Sequence, residues 1–407
     1  MKLAYFYQYI LTINNLKHLI ITKEEGDIME KKEKTNQAAK SKDFDESQNP
    51  FLRANVTCPI CGMEHEQTKL KSHLFIEQGR DIDLKPLTIL RKKKGLGHIH
   101  PAVFFMWHCP HCHFTAARSE YEDPLKDSVV RPEKLKKAIV LAYKNDPSIH
   151  QVFDLLSPEK YDENMTHYNA VQLYLLAIYQ MQLVDDFVNK EPINIGRYSL
   201  RLAWLYRDIE SSEKLKKNHT AEIKTLTQNV QKYWEEVPSD EVKALRMATD
   251  FYEKTLTGTS TIKSDQAEVD LVLLMSRIYL KIDALPDARK FLERARELLR
   301  HFEDRRKKLR RIPDDDPKKP TIGELSQMAA DARKMRRYID EVQGLMDDKR
   351  QDKLEDDMAR AKECIEKSGL KKNEDIRKLL EKEKFSPKII NKIAPQTKKK
   401  GFLGLFR

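Results

Sequence analysis

The chain has 407 residues, enough for two or three domains, and sets 34% charged against 40% hydrophobic residues with only 12 glycines, the balance of an elongated helical protein with much exposed surface. No run of 18 apolar residues occurs, so no membrane-spanning helix is expected. The net charge is +11, and residues 301–407 hold +9 of it, with 30 Lys+Arg against 21 Asp+Glu; such a basic end is either a solvated helical surface or a dock for an acidic partner.

Residues 1–22 resemble a signal peptide only superficially. Gln8, Asn14, Asn15 and Lys17 interrupt the apolar stretch, and no small-residue cleavage site follows. Lys23-Glu24-Glu25-Gly26 back-translates to an almost pure purine run just before Met29, the arrangement of a bacterial ribosome-binding site upstream of a start codon. The expectation is that translation begins at Met29, that residues 1–28 are untranslated, and that 1–50 otherwise form a polar, disordered leader. Five cysteines are present, four of them in two Cys-x-x-Cys pairs. In a chain neither short nor visibly exported, that points to a reducing cytoplasm rather than a disulfide scaffold.

The pairs lie in residues 51–130. The first is Thr57-Cys58-Pro59-Ile60-Cys61-Gly62, the second His108-Cys109-Pro110-His111-Cys112-His113. Each turns back so that two sulfurs meet one ion, with proline fixing φ and Gly62 closing the turn. Soft thiolates in a tetrahedral set of four suit zinc, so Cys58, Cys61, Cys109 and Cys112 are expected to hold one structural zinc in a ribbon-like module. A thioredoxin-like redox pair would need a βαβ setting and only one pair. Residues 70–77 and 103–107 are β-prone, and Lys92-Lys93-Lys94-Gly95-Leu96-Gly97 reads as an exposed basic loop. Seven of the twelve histidines fall here: His65, His73, His98, His100, His108, His111 and His113. Surface histidines are the plain reading; His98-x-His100 on one strand face is the alternative, a second metal site, and His65 is a spare ligand candidate.

These residues, with Arg80-Asp81-Ile82-Asp83, the aromatic run from Pro101 to Trp107, Phe114-Thr115-Ala116 and Leu200-Arg201-Leu202-Ala203-Trp204-Leu205-Tyr206, make the chain resemble a bacterial family of uncharacterised proteins, the domain of unknown function 2225. The resemblance covers roughly residues 55–300 and implies an architecture rather than an activity. It departs at His113, where the family usually has glycine, which bears on how tightly the second knuckle closes. The carboxylates of Asp81 and Asp83 are read as a structural pair for Arg80 or a lysine, with acid–base chemistry the lesser alternative.

From 131 the apolar period becomes helical, giving a domain over 131–305. Three stripes stand out: Tyr168, Val171, Leu175 and Ile178; Ile195, Tyr198, Leu202, Leu205 and Ile209; Ile223, Leu226, Val230, Tyr233 and Val237. Pro238-Ser239 caps the next helix, and Asp265 with Glu268 makes a capping box. The segments 269–280 and 286–299 resemble a tetratricopeptide pair, with Tyr279, Ala288, Leu292 and Ala295 at packing positions, Ser276 for the usual Gly and Val272 for the usual Trp. A generic helical bundle is the alternative.

Residues 306–407 comprise a charged linker, a long helix opened by the Thr321–Glu324 capping box, and a basic tail. Leu325, Met328, Ala332, Met335, Ile339 and Val342 share one helix face, packed on the repeats or on a partner. Cys364 is a lone thiol, and Ser386-Pro387 opens a last short helix. Lys398–Arg407 joins three lysines to large apolar residues, suiting a partner's groove, a weak membrane-surface contact or a disordered end. The fold expected is mainly α, with a small N-terminal zinc-ribbon-like β module before a tetratricopeptide-like array. The function expected is a non-enzymatic scaffold binding a protein partner; the alternative is nucleic-acid binding through the ribbon and basic tail.

Overall fold

The computed structural model describes residues 49–93, 95–122, 132–258, 262, 264–314 and 316–395. The expectations for the leader before residue 49 and for Lys398–Arg407 fall outside them. The described chain is mainly α, with a small β module first. Three antiparallel hairpins form the module: β1 (Phe51–Thr57) with β2 (Glu64–Leu70), β3 (Phe75–Arg80) with β4 (Pro86–Arg91), and β5 (Met106–His108) with β6 (Thr115–Ala117). The β-prone stretch 70–77 is not one strand. A 3-10 turn at Ser72–Leu74 breaks it, because Lys71 N–H closes onto Pro50 O while Leu74 O receives Lys92 N–H, so each half belongs to a different hairpin. In the basic loop Leu96 is buried, while Lys92 stays exposed.

The helices are α1 (Arg118–Glu122), α2 (Pro132–Lys136), α3 (Ala142–Asn145), α4 (Pro147–Leu156), α5 (His167–Gln182), α6 (Asp185–Asn189), α7 (Ile193–Ser211), α8 (Glu213–Gln231), α9 (Glu241–Thr257), α10 (Asp265–Lys281), α11 (Leu285–Arg310), α12 (Ile322–Ser368), α13 (Asn373–Lys382) and α14 (Pro387–Ile393). No helix among the described residues is long and apolar enough to cross a membrane. From Ala170 to Met181, α5 is buried on every face, as a helix must be when it lies between layers. On one side it meets β5 and β6, on the other α7 and α8. One apolar core runs from Cys58 in the module to Met346 in α12.

The second stripe, Ile195 to Ile209, is wholly buried along α7. The third holds for Ile223, Leu226, Val230 and Val237, but Tyr233 is 43% exposed and Trp234 is buried instead. There α8 ends at Gln231, and Tyr233 and Trp234 N–H both turn onto Val230 O, so the helical period no longer applies. Asp240, not Ser239, caps α9, and Ser264, not Asp265, caps α10. The α7–α9 contact needs a glycine. A Cβ on Gly196 would stand 2.6 Å from Tyr252 Cε1. Gly196→Ala should destabilise by about 1–3 kcal/mol through overpacking, read as a lower urea midpoint; an unchanged midpoint would show that the Tyr252 ring swings aside freely.

In the α10–α11 pair, Val272, Ala288, Leu292 and Ala295 are fully buried. Ser276 Oγ donates to Ala288 O at 2.7 Å. Small residues let these helices approach closely, and Tyr279 stacks on Phe291 beside them. The Thr321–Glu324 capping box forms, each side chain accepting from the other's backbone N–H. The following 47-residue helix seats Ala332, Met335, Ile339, Val342 and Met346 in the main core, against α10 and α11. Its far half builds a separate small core, Ala361 with Ile376 and Leu380 of α13 and Ile389 and Ile390 of α14.

Candidate metal centre

Each Cys-x-x-Cys sits at a hairpin tip. Pairing of β1 and β2 ends at Thr57↔Glu64, and residues 58–63 make the turn. Gly62 N–H donates to Cys58 O and Cys58 N–H to Met63 O, both at 2.9 Å. Pairing of β5 and β6 ends at His108↔Thr115. There His113 N–H donates to Cys109 O at 2.9 Å and Cys109 N–H to Phe114 O at 2.8 Å. The two knuckles therefore match bond for bond.

His113 occupies the place of Gly62 and adopts the same left-handed backbone, φ +61° against +77°. For a residue with a Cβ this costs about 1–2 kcal/mol. Its surroundings offset the strain. The His113 ring meets Ser157 Oγ through Nδ1 at 2.6 Å, and His113 O accepts from Gln180 Nε2 at 2.6 Å and Thr115 Oγ1 at 3.0 Å. The knuckle stays tight without glycine.

The hairpins bring the four thiols to one point. Cys58 and Cys112 Sγ are 3.6 Å apart, Cys61 and Cys109 Sγ 3.7 Å, and all four sulfurs lie within 4.8 Å of one another. A tetrahedral ion with metal–sulfur bonds of about 2.3 Å needs sulfurs about 3.8 Å apart. Cys58, Cys109 and Cys112 are buried. Hydrogen bonds from Cys109 and Cys112 pull Cys58 far below the usual thiol value, and contact with Cys109 and Cys58 pushes Cys112 far above it. Four thiols this close could hold one metal ion, whose charge would favour all four as thiolates.

The nearby histidines stand outside the cluster. His65 Nε2 meets Tyr121 OH at 2.9 Å, and His108, neutral because burial depresses it to about 3, meets Thr115 Oγ1 at 2.9 Å. His98 belongs to a 3-10 turn rather than a strand, so His98 and His100 do not share a strand face. His100 Nε2 instead faces Asp208 Oδ2 at 3.5 Å.

The module is clasped to the array at a second place. The turn between β3 and β4 presents Asp81 and Asp83 to α7. Arg207 grips Asp83 with two nitrogens, Nη1 to Oδ1 at 3.0 Å and Nη2 to Oδ2 at 2.6 Å. Its Nη1 also donates to Asp81 Oδ2 at 2.6 Å and its Nε to Glu241 Oε1 at 2.8 Å. Trp204 Nε1 donates to Asp83 Oδ2 at 3.0 Å, and Lys281 Nζ to Asp81 Oδ2 at 2.8 Å. Asp83 is 0% exposed. Arg80 pairs with Glu77 instead. The carboxylates are thus structural, but their main partner is Arg207, a residue the sequence motifs stop just short of. Further ties are Tyr198 OH accepting from Ala117 N–H, Gln180 Oε1 from Thr115 N–H, and Met106 O from Tyr161 OH.

A pair of cysteine knuckles clamped onto a helical array defines a mainly α protein with its four-cysteine cluster, which could hold a metal ion, at the N-terminal side of the described chain. Residues 51–310 match the family described as uncharacterized protein conserved in bacteria, the domain of unknown function 2225, and the chain belongs to that family. An uncharacterized protein of Borreliella burgdorferi is 25% identical over 166 residues, covering 40% of this chain. The chain spans 55% of the length of that curated relative. No solved structure matches it.

Proposed function

We propose that the protein is a non-enzymatic cytoplasmic scaffold that holds one structural zinc on Cys58, Cys61, Cys109 and Cys112 and binds a protein partner through its helical array. The observation that carries the reading is the sulfur geometry, 3.6 and 3.7 Å between opposed thiols. Thiolate softness and four-fold tetrahedral closure select zinc and leave no position for a reacting water. A reducing compartment keeps the four thiols available as ligands. The zinc end then serves to fix β5 and β6 over α5, and the array supplies extended helical faces of the kind that dock other proteins. Because α12 lies in the main core as far as Met346, a truncation that leaves that core intact ends near residue 350.

The test compares the full chain with a version ending at residue 350, each used as bait in lysate of the native host. A partner held on an apolar helical face should stay bound between about 50 and 200 mM salt, whereas phosphate-driven binding falls by orders of magnitude over that range. The truncated chain should keep the protein partner, and oligonucleotides should bind the full chain weakly and without sequence preference. A salt-resistant, sequence-selective complex with DNA or RNA would overturn the scaffold reading.

A further inference from the structure

The end of α11 carries more positive charge than its own packing uses. Residues 305–311 read Arg-Arg-Lys-Lys-Leu-Arg-Arg, six cations in seven residues with no acid among them. At about 3.6 residues per turn, such a run surrounds the helix instead of marking one face. The helix dipole favours cations in the last turn alone, where Lys307, Lys308 and Arg310 already stand. Pairing within the chain takes up two of the six: Arg305 with Asp265, and Lys307 with Asp304 at 3.1 Å, the latter between side chains 63% and 64% exposed. Lys308, Arg310 and Arg311 are exposed and form no ion pair with a described residue. Arg306 is half-buried, and its Nε is buried without a hydrogen-bond partner among the described residues. Buried polar atoms of this kind are nearly always satisfied. A second helix adds to the patch. α12 runs antiparallel to α11, since Arg336 pairs with Glu303 and Arg296 Nη2 donates to Gln343 Oε1 at 2.7 Å. That register sets position 333 abreast of position 306. Arg333 and Arg337 are exposed there, again with no ion pair to a described residue, while Met335 between them enters the core.

We propose that the end of α11 and the facing stretch of α12 form a surface for the phosphate backbone of a nucleic acid, a function additional to the scaffold role and independent of the thiolate centre. Four of the six cations in the run are arginines, whose planar guanidinium meets phosphate oxygens with two N–H donors at once. Phosphate contacts set position and carry no sequence information, so the binding is unselective, with a dissociation constant of about 10⁻⁴–10⁻⁶ M at physiological salt and a steep loss as salt rises. An acidic protein is the poorer fit. Protein interfaces draw their energy from a few large anchors seated in the partner, and among the described residues of 285–321 no large apolar side chain is exposed. The next one along the chain is Ile322, 88% exposed at the start of α12; one such side chain gives a lipid surface little to hold.

Fluorescence anisotropy of labelled duplexes of several sequences, titrated with the full-length protein between about 50 and 200 mM salt, tests the surface. Lys308→Gln/Arg310→Gln/Arg311→Gln removes three exposed charges from the patch, and Lys398→Gln/Lys399→Gln/Lys400→Gln removes the same charge from the tail. In the patch variant the slope of log affinity against log salt should become shallower by about 2–3, with an equal loss for every sequence. The tail variant should keep the wild-type slope to within about one. No binding by the wild type at low salt, an unchanged slope in a patch variant of wild-type helical circular dichroism, or an equal loss in the tail variant would each overturn the surface. Tighter binding to polyglutamate, or to phosphatidylserine vesicles, than to the duplex at the same salt would overturn it too, in favour of an acidic protein or a membrane. Should the patch variant fail to fold, Arg333→Gln/Arg337→Gln reads the α12 side of the same surface, and an unchanged slope there would equally contradict the proposal.

Discussion

Cys61→Ser should strip the thiolate centre of its metal and open the β1–β2 and β5–β6 hairpins. Zinc binding at such sites contributes about 10 kcal/mol or more of folding free energy, as much as the whole net stability of a typical domain. The hairpins cannot replace it, since β5 and β6 pair over only three residues. Their loss uncovers one side of α5 and leaves Gln180 and Tyr198 without the backbone groups of Thr115 and Ala117. Hydrogen exchange should therefore speed up by orders of magnitude across residues 51–122 and measurably in α5, while α10 and α11, packed on each other and on α12, stay protected. Wild-type exchange in the hairpins of a metal-free Cys61→Ser protein would show that the thiols are a passive cluster.

Arg207→Ala should cost about 3–5 kcal/mol, the usual result of removing one member of a buried ion pair. It would leave Asp83, Asp81 and Glu241 facing one another without their common cation, Asp83 with no access to water. Arg207→Lys should recover only part of the loss, because an ammonium cannot reproduce the two-nitrogen grip on Asp83. The pH dependence has a definite sign. Burial disfavours ionised Asp81, but Lys281 and Arg207 outweigh it and hold its carboxyl below the ordinary value of 3.8. A depressed carboxylate stabilises the fold above its unfolded pKa and loses that contribution as pH falls through the folded one. In the wild type the Asp81 contribution is thus complete at neutral pH and drains away below about pH 4. In Arg207→Ala the Asp81 carboxyl loses part of that support, so the gap between variant and wild type should narrow in acid. Urea unfolding at neutral pH and near pH 3, about a unit below the ordinary carboxylate value, measures both numbers; a difference under about 0.5 kcal/mol at neutral pH would reduce the clasp to a solvated surface pair.

What the sequence discloses follows the range of each interaction. The four cysteines are legible because ligand spacing within a knuckle is local, and the two knuckles need only one ion to find each other. The α7 stripe is legible because an amphipathic period repeats over about four turns. The clasp is not, since Arg207 lies 124 residues from Asp83 and nothing local marks it as the partner. Its neighbour Trp204 belongs to the recognisable Leu200–Tyr206 segment, yet only the fold shows that this segment and Arg80-Asp81-Ile82-Asp83 are two halves of one contact. His113 shows the same limit from the other side. A non-glycine residue at a knuckle's left-handed position suggests looseness until Ser157, just past the end of α4, and Gln180 of α5 arrive to hold it. Cap positions fail for a simpler reason: Ser264 and Asp265 are both good caps, as are Ser239 and Asp240, so residue type does not choose between neighbours.

Native mass spectrometry decides whether these four thiols hold one zinc. The full chain, purified reduced and without chelator, is compared with Cys109→Ser under the same conditions. The difference in bound metal should be one zinc per chain, whatever else the wild type carries. Equal metal content in the two proteins, or a difference that corresponds to an ion other than zinc, would contradict the zinc assignment.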